Sequence, residues 1–108
     1  MLEALRCQDP WEREIILADD RWYNKILFDH PILANRLDDV ELTLTDSNMM
    51  NYDETRLDVE NFYRWLRLPA PVGWTYLKVC VRFNTVPGHV LTAYPTFIIK
   101  QAELRKWP

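Results

Sequence analysis

The sequence predicts an α+β fold: two N-terminal helices packed on one face of a four- to five-stranded, mainly antiparallel sheet. Two observations carry this expectation. Apolar residues recur with helical spacing between residues 20 and 45, and alternate with a period of two between residues 75 and 97. Helical patterns followed by a run of strands place the helices on one face of an antiparallel sheet, leaving the other for solvent or a ligand.

The elements follow in chain order. Ile15, Ile16 and Leu17 form a short apolar run, read as a strand at 14–18, with Asp19 and Asp20 as N-cap candidates for the next element. A first helix is expected at 21–29, where Tyr23, Ile26, Leu27 and His30 fall on one face and Trp22 flanks it. Pro31 disfavours helical geometry at His30 and ends it. A second helix is expected at about 34–45, with Leu33, Leu37, Val40 and Leu44 as its apolar stripe and Asp46-Ser47-Asn48 as its stop. Strands are expected at 49–53, 60–66, 75–83 and 90–98, with a loop at 84–89 around Pro87-Gly88. In the last strand Leu91, Ala93 and Phe97 should point inward, and Pro95 marks an edge or a bulge.

At 108 residues the chain has the length of one domain, and 48% hydrophobic residues suffice for a core. No linker, repeat or low-complexity stretch divides it. The expected unit is a single domain over 1–108, with its core at about 13–100 and extensions at 1–12 and 101–108.

Net charge is −3, which argues against a generic nucleic-acid coat, but the charge is unevenly placed. Residues 1–60 hold six basic and fifteen acidic side chains; residues 61–108 hold seven basic ones and only Glu103 against them. Such asymmetry points to an anionic partner, or to acidic helices complementing a basic sheet. Two cysteines, Cys7 and Cys80, are too few for a disulfide framework and read as reduced thiols of a cytoplasmic protein. No zinc-ligand spacing, Gly-rich phosphate loop, HExxH, GxSxG or CxxC pattern is present, and no metal or cofactor is expected. The N-terminus lacks the apolar stretch of a secretory signal, and no apolar run approaches membrane-spanning length, so no membrane partner is expected.

Pairing the two central strands apolar to apolar requires an even sum of residue numbers. The simplest register sets Arg82 opposite Thr92, Cys80 opposite Tyr94 and Lys78 opposite Thr96. The open face would then present Lys78, Arg82, Tyr76, Tyr94, Thr92 and Thr96. Cations, phenols and hydroxyls on one platform suit a phosphodiester chain, with charge for phosphate and rings for bases. A solvated polar sheet face accounts for the same residues. His30, at a helix end, suits acid–base chemistry, since histidine ordinarily titrates at about pH 6.5; its place on an apolar stripe equally suits a buried structural histidine. His89 reads as a turn residue. Glu60 reads as a strand-end surface residue, or as a carboxylate for the platform.

Several segments together resemble a known group. They are Ile15-x-Leu17, Arg21-Trp22-x-x-x-Ile26-Leu27-x-x-His30-Pro31, Thr43-Leu44-x-Asp46, Phe62-Tyr63-Arg64, Leu77-Lys78-Val79-x-Val81-Arg82-Phe83 and Leu91-Thr92-Ala93-Tyr94-Pro95-Thr96. In this order, across about residues 13–100, they resemble small bacterial and phage-related domains of the barnase–EndoU–colicin–RelE-like (BECR) nuclease superfamily. The resemblance implies helices on a four- or five-stranded antiparallel sheet whose open face binds RNA. It implies metal-independent endoribonuclease activity, toxin-like or RNA-processing, in which the 2′-OH attacks the adjacent phosphate. His30, Arg82, Tyr94 and Thr92 would then be catalytic. Lys78, Arg64, Tyr63, Tyr76 and Thr96 would bind RNA, and a cognate inhibitor protein would be a further partner. A non-catalytic RNA-binding or protein-interaction domain on the same scaffold is the alternative.

Overall fold

Among the described residues, seven strands join one sheet in the order β1-β2-β6-β5-β4-β3-β7. The computed structural model describes residues 2–99 and 105–107. The strands are β1 (Glu3–Gln8), β2 (Glu14–Ala18), β3 (Met49–Tyr52), β4 (Val59–Leu68), β5 (Gly73–Arg82), β6 (Gly88–Thr96) and β7 (Arg105–Trp107). Neighbours are antiparallel except β2 and β6, which run parallel. The sheet is therefore mixed and seven-stranded, which overturns the expected four- to five-stranded, mainly antiparallel one. Residues 3–8, expected in an extension, form an edge strand whose Leu5 and Cys7 pack against the core. Of the expected C-terminal extension, 105–107 pair with β3, while 100–104 and 108 lie outside the described residues.

The helical part departs from two regular α-helices. Residues 19–29 are one helical segment in which α-turns at Asp19–Arg21 and Leu27–Asp29 flank a π-helical turn, Trp22–Ile26. The wider π turn puts Trp22 and Ile26 in the core and leaves Tyr23 exposed, so the expected stripe is not the buried one. Ala18 is the N-cap, and Asp19 and Asp20 sit in the first turn, where a carboxylate meets the positive helix end. A 3-10 turn, Pro31–Leu33, and Asn35 at φ 62° delay the second helix to Leu37–Thr45. Its Val40, Thr43 and Leu44 are buried.

Both helical segments feed one core. Ile15, Leu17, Trp22, Ile26, Leu33, Val40 and Leu44 pack with Phe62, Leu66, Leu77, Val79, Val81, Val90 and Ala93. This defines the helix face of the sheet. Even-numbered residues of β5 and odd-numbered residues of β4 pair with one another on the opposite face.

The β5–β6 register slides by two residues from the expected one. Tyr76 pairs with Thr96, Lys78 with Tyr94 and Cys80 with Thr92. A slide of two keeps every side chain on its face. A bulge between Cys80 and Val81 then sets Arg82 opposite His89 and turns Val90 inward. Leu91 is consequently half-buried, and Phe97 is exposed rather than inward. Pro95 is not at the bulge. Strand β2 pairs with β6 only at Gly88 and His89, so Pro95 lies where β6 has become an edge and its missing N–H costs no ladder bond.

One buried charge network fastens the N-terminal hairpin to the rest. The Asp9 carboxylate accepts the backbone N–H of Trp11 and Arg13, both at 2.9 Å, and builds the β1–β2 turn. The Arg13 guanidinium donates to that same carboxylate at 2.7 Å and to both oxygens of Glu60 at 2.8 and 2.9 Å. Glu60 thus lies on the helix face, at the start of β4, and not on the expected platform. The guanidinium stacks 3.8 Å from the centre of the Phe83 ring. That ring lies so close to Gly88 that a Cβ there would sit 2.7 Å from a ring carbon, so any larger residue where β6 meets β2 must displace the ring on which Arg13 rests.

Two outcomes are expected. Glu60→Gln leaves Arg13 without its bidentate partner and should lower unfolding free energy by about 2–4 kcal/mol, read by denaturant melts. Cys7 is half-buried, and burial, then Glu41 and Asp9, push its thiol up to about 11. The unfolded chain gives up this proton at lower pH than the native chain, so stability should fall as pH rises from the ordinary thiol range toward 11. Iodoacetamide should correspondingly label native Cys7 slowly at pH 8, where a Cys7-like thiol in the unfolded chain reacts readily.

Candidate functional site

The face opposite the helices carries a row of rings and one cation. Tyr63 of β4, Lys78 of β5 and Tyr94 of β6 are directly paired neighbours, so their side chains line up across three strands. Lys78 Nζ lies 5.5 Å from the Tyr63 ring centre and 5.6 Å from that of Tyr94. The ammonium therefore sits between two phenols. Lys78 is 4% exposed and Tyr63 fully buried, so this centre is not the open platform expected from the sequence. Burial works against the charge on Lys78. The phenols of Tyr63 and Tyr94 and the thiol of Cys80 oppose it and shift the amine upward from the ordinary lysine range.

His30 completes the row from outside the sheet. The helical segment that ends at His30 buries Trp22 and Ile26 on the helix face. Its last residue reaches around the free edge of β6 and stacks on Tyr94, with ring centres 5.7 Å apart and planes 28° from parallel. His30 is half-buried, not sealed in the core. The order along the face is thus His30, Tyr94, Lys78, Tyr63. The imidazole and Tyr94 are the members reached from solvent.

The other residues expected at the site fall in three places. Tyr76 and Thr96 pair with each other one step along the same face, and the Thr96 hydroxyl is held by Ile98 at 3.1 Å. Thr92 pairs with Cys80 one step the other way, next to the buried pair in which Asn61 Nδ2 donates to Asn51 Oδ1 at 3.2 Å. Asn61 Oδ1 is buried and accepts no hydrogen bond. Arg82 lies four residues from Lys78, opposite His89, with Nε 3.4 Å from the Asp58 carboxylate. It does not face Tyr94, because the expected register was two residues off. Arg64 lies on the helix face. It donates to the carbonyl of Asp46, 2.5 Å away, and lies 3.2 Å from its carboxylate, at the negative C-terminal end of helix Leu37–Thr45. Lys78 is therefore the cation that the fold brings to Tyr94, the ring on which His30 stacks; Arg82 and Arg64 are not.

Sequence reasoning passed over two tryptophans on this face. Trp65 and Trp74 share the parity of Tyr63 and Tyr76 and stack with ring centres 6.4 Å apart. Trp65 also meets Tyr76 edge-on at 4.9 Å, and Tyr76 meets Tyr63 at 6.3 Å. Strand parity alone could have shown their common face. Among the described residues no three His, Cys, Asp or Glu side chains cluster as metal ligands, and no helix is long and apolar enough to cross a membrane.

No protein-family model, curated protein or solved structure matches the chain, so the functional argument stands on these residues.

Proposed function

We propose that this domain is a metal-independent endoribonuclease that cleaves RNA by transesterification at the His30–Tyr94–Lys78 row. One observation carries the proposal: a histidine outside the core stacks on a phenol whose ring also lies against the Lys78 ammonium. Cleavage moves few atoms. The 2′-oxygen forms a bond to phosphorus and the bond from phosphorus to the 5′-oxygen breaks, leaving a 2′,3′-cyclic phosphate and a 5′-hydroxyl. The neutral His30 imidazole takes the 2′-hydroxyl proton. The 5′-oxygen needs a proton as it leaves, and the phenol of Tyr94, stacked on His30, is assigned as its donor. Lys78 offsets the charge that builds on the phosphoryl oxygens, and does so inside a poorly hydrated site where each charge counts for more.

The BECR resemblance supports the same chemistry, although the seven-stranded mixed sheet departs from that group's architecture. RNA, rather than an inhibitor protein, is the partner to which these residues are suited, and a cytoplasmic setting with reduced thiols fits it. The burial of Lys78 and Tyr63 favours a second reading, in which the row holds a phosphate without cleaving it.

The test is cleavage of a fluorescent single-stranded RNA in EDTA. His30→Ala should lower kcat about 10²- to 10⁴-fold, and Lys78→Met should lower it at least as much. The product should carry a 2′,3′-cyclic phosphate. Wild-type chain that binds the RNA and leaves it intact would establish the second reading instead.

A further inference from the structure

The aromatic row does not stop at Tyr63. Trp74, Trp65, Tyr76, Tyr63, Lys78, Tyr94 and His30 form one unbroken series of ring–ring and cation–ring contacts across the face. Its far end is open: Trp65 is 46% and Trp74 56% exposed. Folding gains little from leaving two indoles half in water beside each other. The ladder places exposed Arg67 directly opposite Trp74, and Thr96 directly opposite Tyr76. In the stretch of β4, β5 and β6 that forms this end of the face, 63–67, 74–78 and 94–96, there is no carboxylate.

We infer that Trp65 and Trp74 form a base-stacking subsite, with Arg67 as its phosphate contact, for nucleotides of a single-stranded RNA that flank the one held at His30, Tyr94 and Lys78. This deepens the proposed function and rests on it. Indole faces accept any base, at a cost in affinity on removal of about 5- to 100-fold per ring. A cation beside them selects a charged strand over a neutral sugar polymer, which would stack but leave Arg67 unused. Trp74 lies four residues from Lys78 along β5, about 13 Å at strand spacing. That is too far for a dinucleotide centred on Lys78 and within reach of a longer strand. The subsite therefore sets a length preference.

The experiment uses the full chain carrying His30→Ala, so that RNA stays intact, and an eight-residue oligouridylate probe alongside a UpU dinucleotide. Trp65→Leu and Trp74→Leu retain apolar bulk over Tyr76 and remove the π face; circular dichroism melts confirm folding. Each should weaken octamer binding about 5- to 100-fold, leave UpU binding unchanged, and leave the salt dependence unchanged. Arg67→Gln should instead flatten the slope of log K against log salt by about one contact. Octamer binding as tight in the Trp variants as in their parent overturns the subsite while the catalytic reading stands. Equal losses for octamer and dinucleotide overturn the length preference. No binding of the octamer to the parent overturns both, as does tighter binding of a neutral oligosaccharide to the tryptophans.

Discussion

The Arg13 guanidinium, held between the Asp9 and Glu60 carboxylates, is the contact on which the rest of the architecture depends. The N-terminal hairpin meets the remainder of the sheet through a parallel pairing of only two residue pairs, Ile15–Gly88 and Ile16–His89. So short a ladder is weak on its own. Arg13 joins the hairpin turn to the start of β4, 47 residues away in sequence, and rests on Phe83 at the end of β5. All three carboxylate-bonded groups are buried or half-buried, so the desolvation of one is tolerable only with the others in place. Gly88 suits the same corner because the Phe83 ring fills the space that a side chain would take. The chain enters β2 at this corner and passes from its far end, Ala18, straight into the segment that ends at His30. The position of the hairpin therefore fixes where the histidine arrives.

The candidate site is assembled from both faces of the molecule. The π turn Trp22–Ile26 anchors the helical segment in the core, and the same segment hands His30 over the β6 edge to Tyr94. That edge is open because β2 pairs with only the first two residues of β6, and Pro95 there offers no amide to a further strand. The uneven charge of the chain acquires a physical sense here. Acidic side chains of the first half are spent on Arg6, Arg13, Lys25 and Arg82. Lys78 and Arg67, from the basic half, lie in the stretch 63–67, 74–78 and 94–96, which holds no carboxylate.

Much of this could be read from residues, and the failures have identifiable causes. The alternation of Leu77, Val79 and Val81 against Lys78 and Cys80 assigned both faces of β5, because burial of one face enforces a period of two. The register of β6 against it slid by two, since Thr92, Tyr94 and Thr96 are interchangeable polar positions and the bulge near Leu91 leaves no local mark. The apolar spacing of 20–45 announced helical structure. It could not reveal a π turn, which changes the period within a single turn and swaps Tyr23 for Trp22 on the buried side. Strand β1 was illegible because Arg6 and the exposed Glu3 and Gln8 dilute its alternation, as edge strands do. The Arg13–Glu60 pair joins residues with no sequence relation at all. At the site, strand parity placed Lys78 and Tyr94 on one face, and the resemblance alone pointed to Tyr63. Arg64 fell to the other face because it immediately follows Tyr63 in β4.

The central claim is that His30, Tyr94 and Lys78 act on one phosphate. It is tested most directly by NMR titration with a 2′-deoxy dinucleotide, which has the phosphate and lacks the nucleophile. Ring resonances of His30 and Tyr94 should move together with one binding curve, the phosphorus signal should shift with them, and Lys78→Met should abolish all three changes. Movement confined to Arg82 and Arg64, or no movement of the His30 ring at saturation, would contradict it.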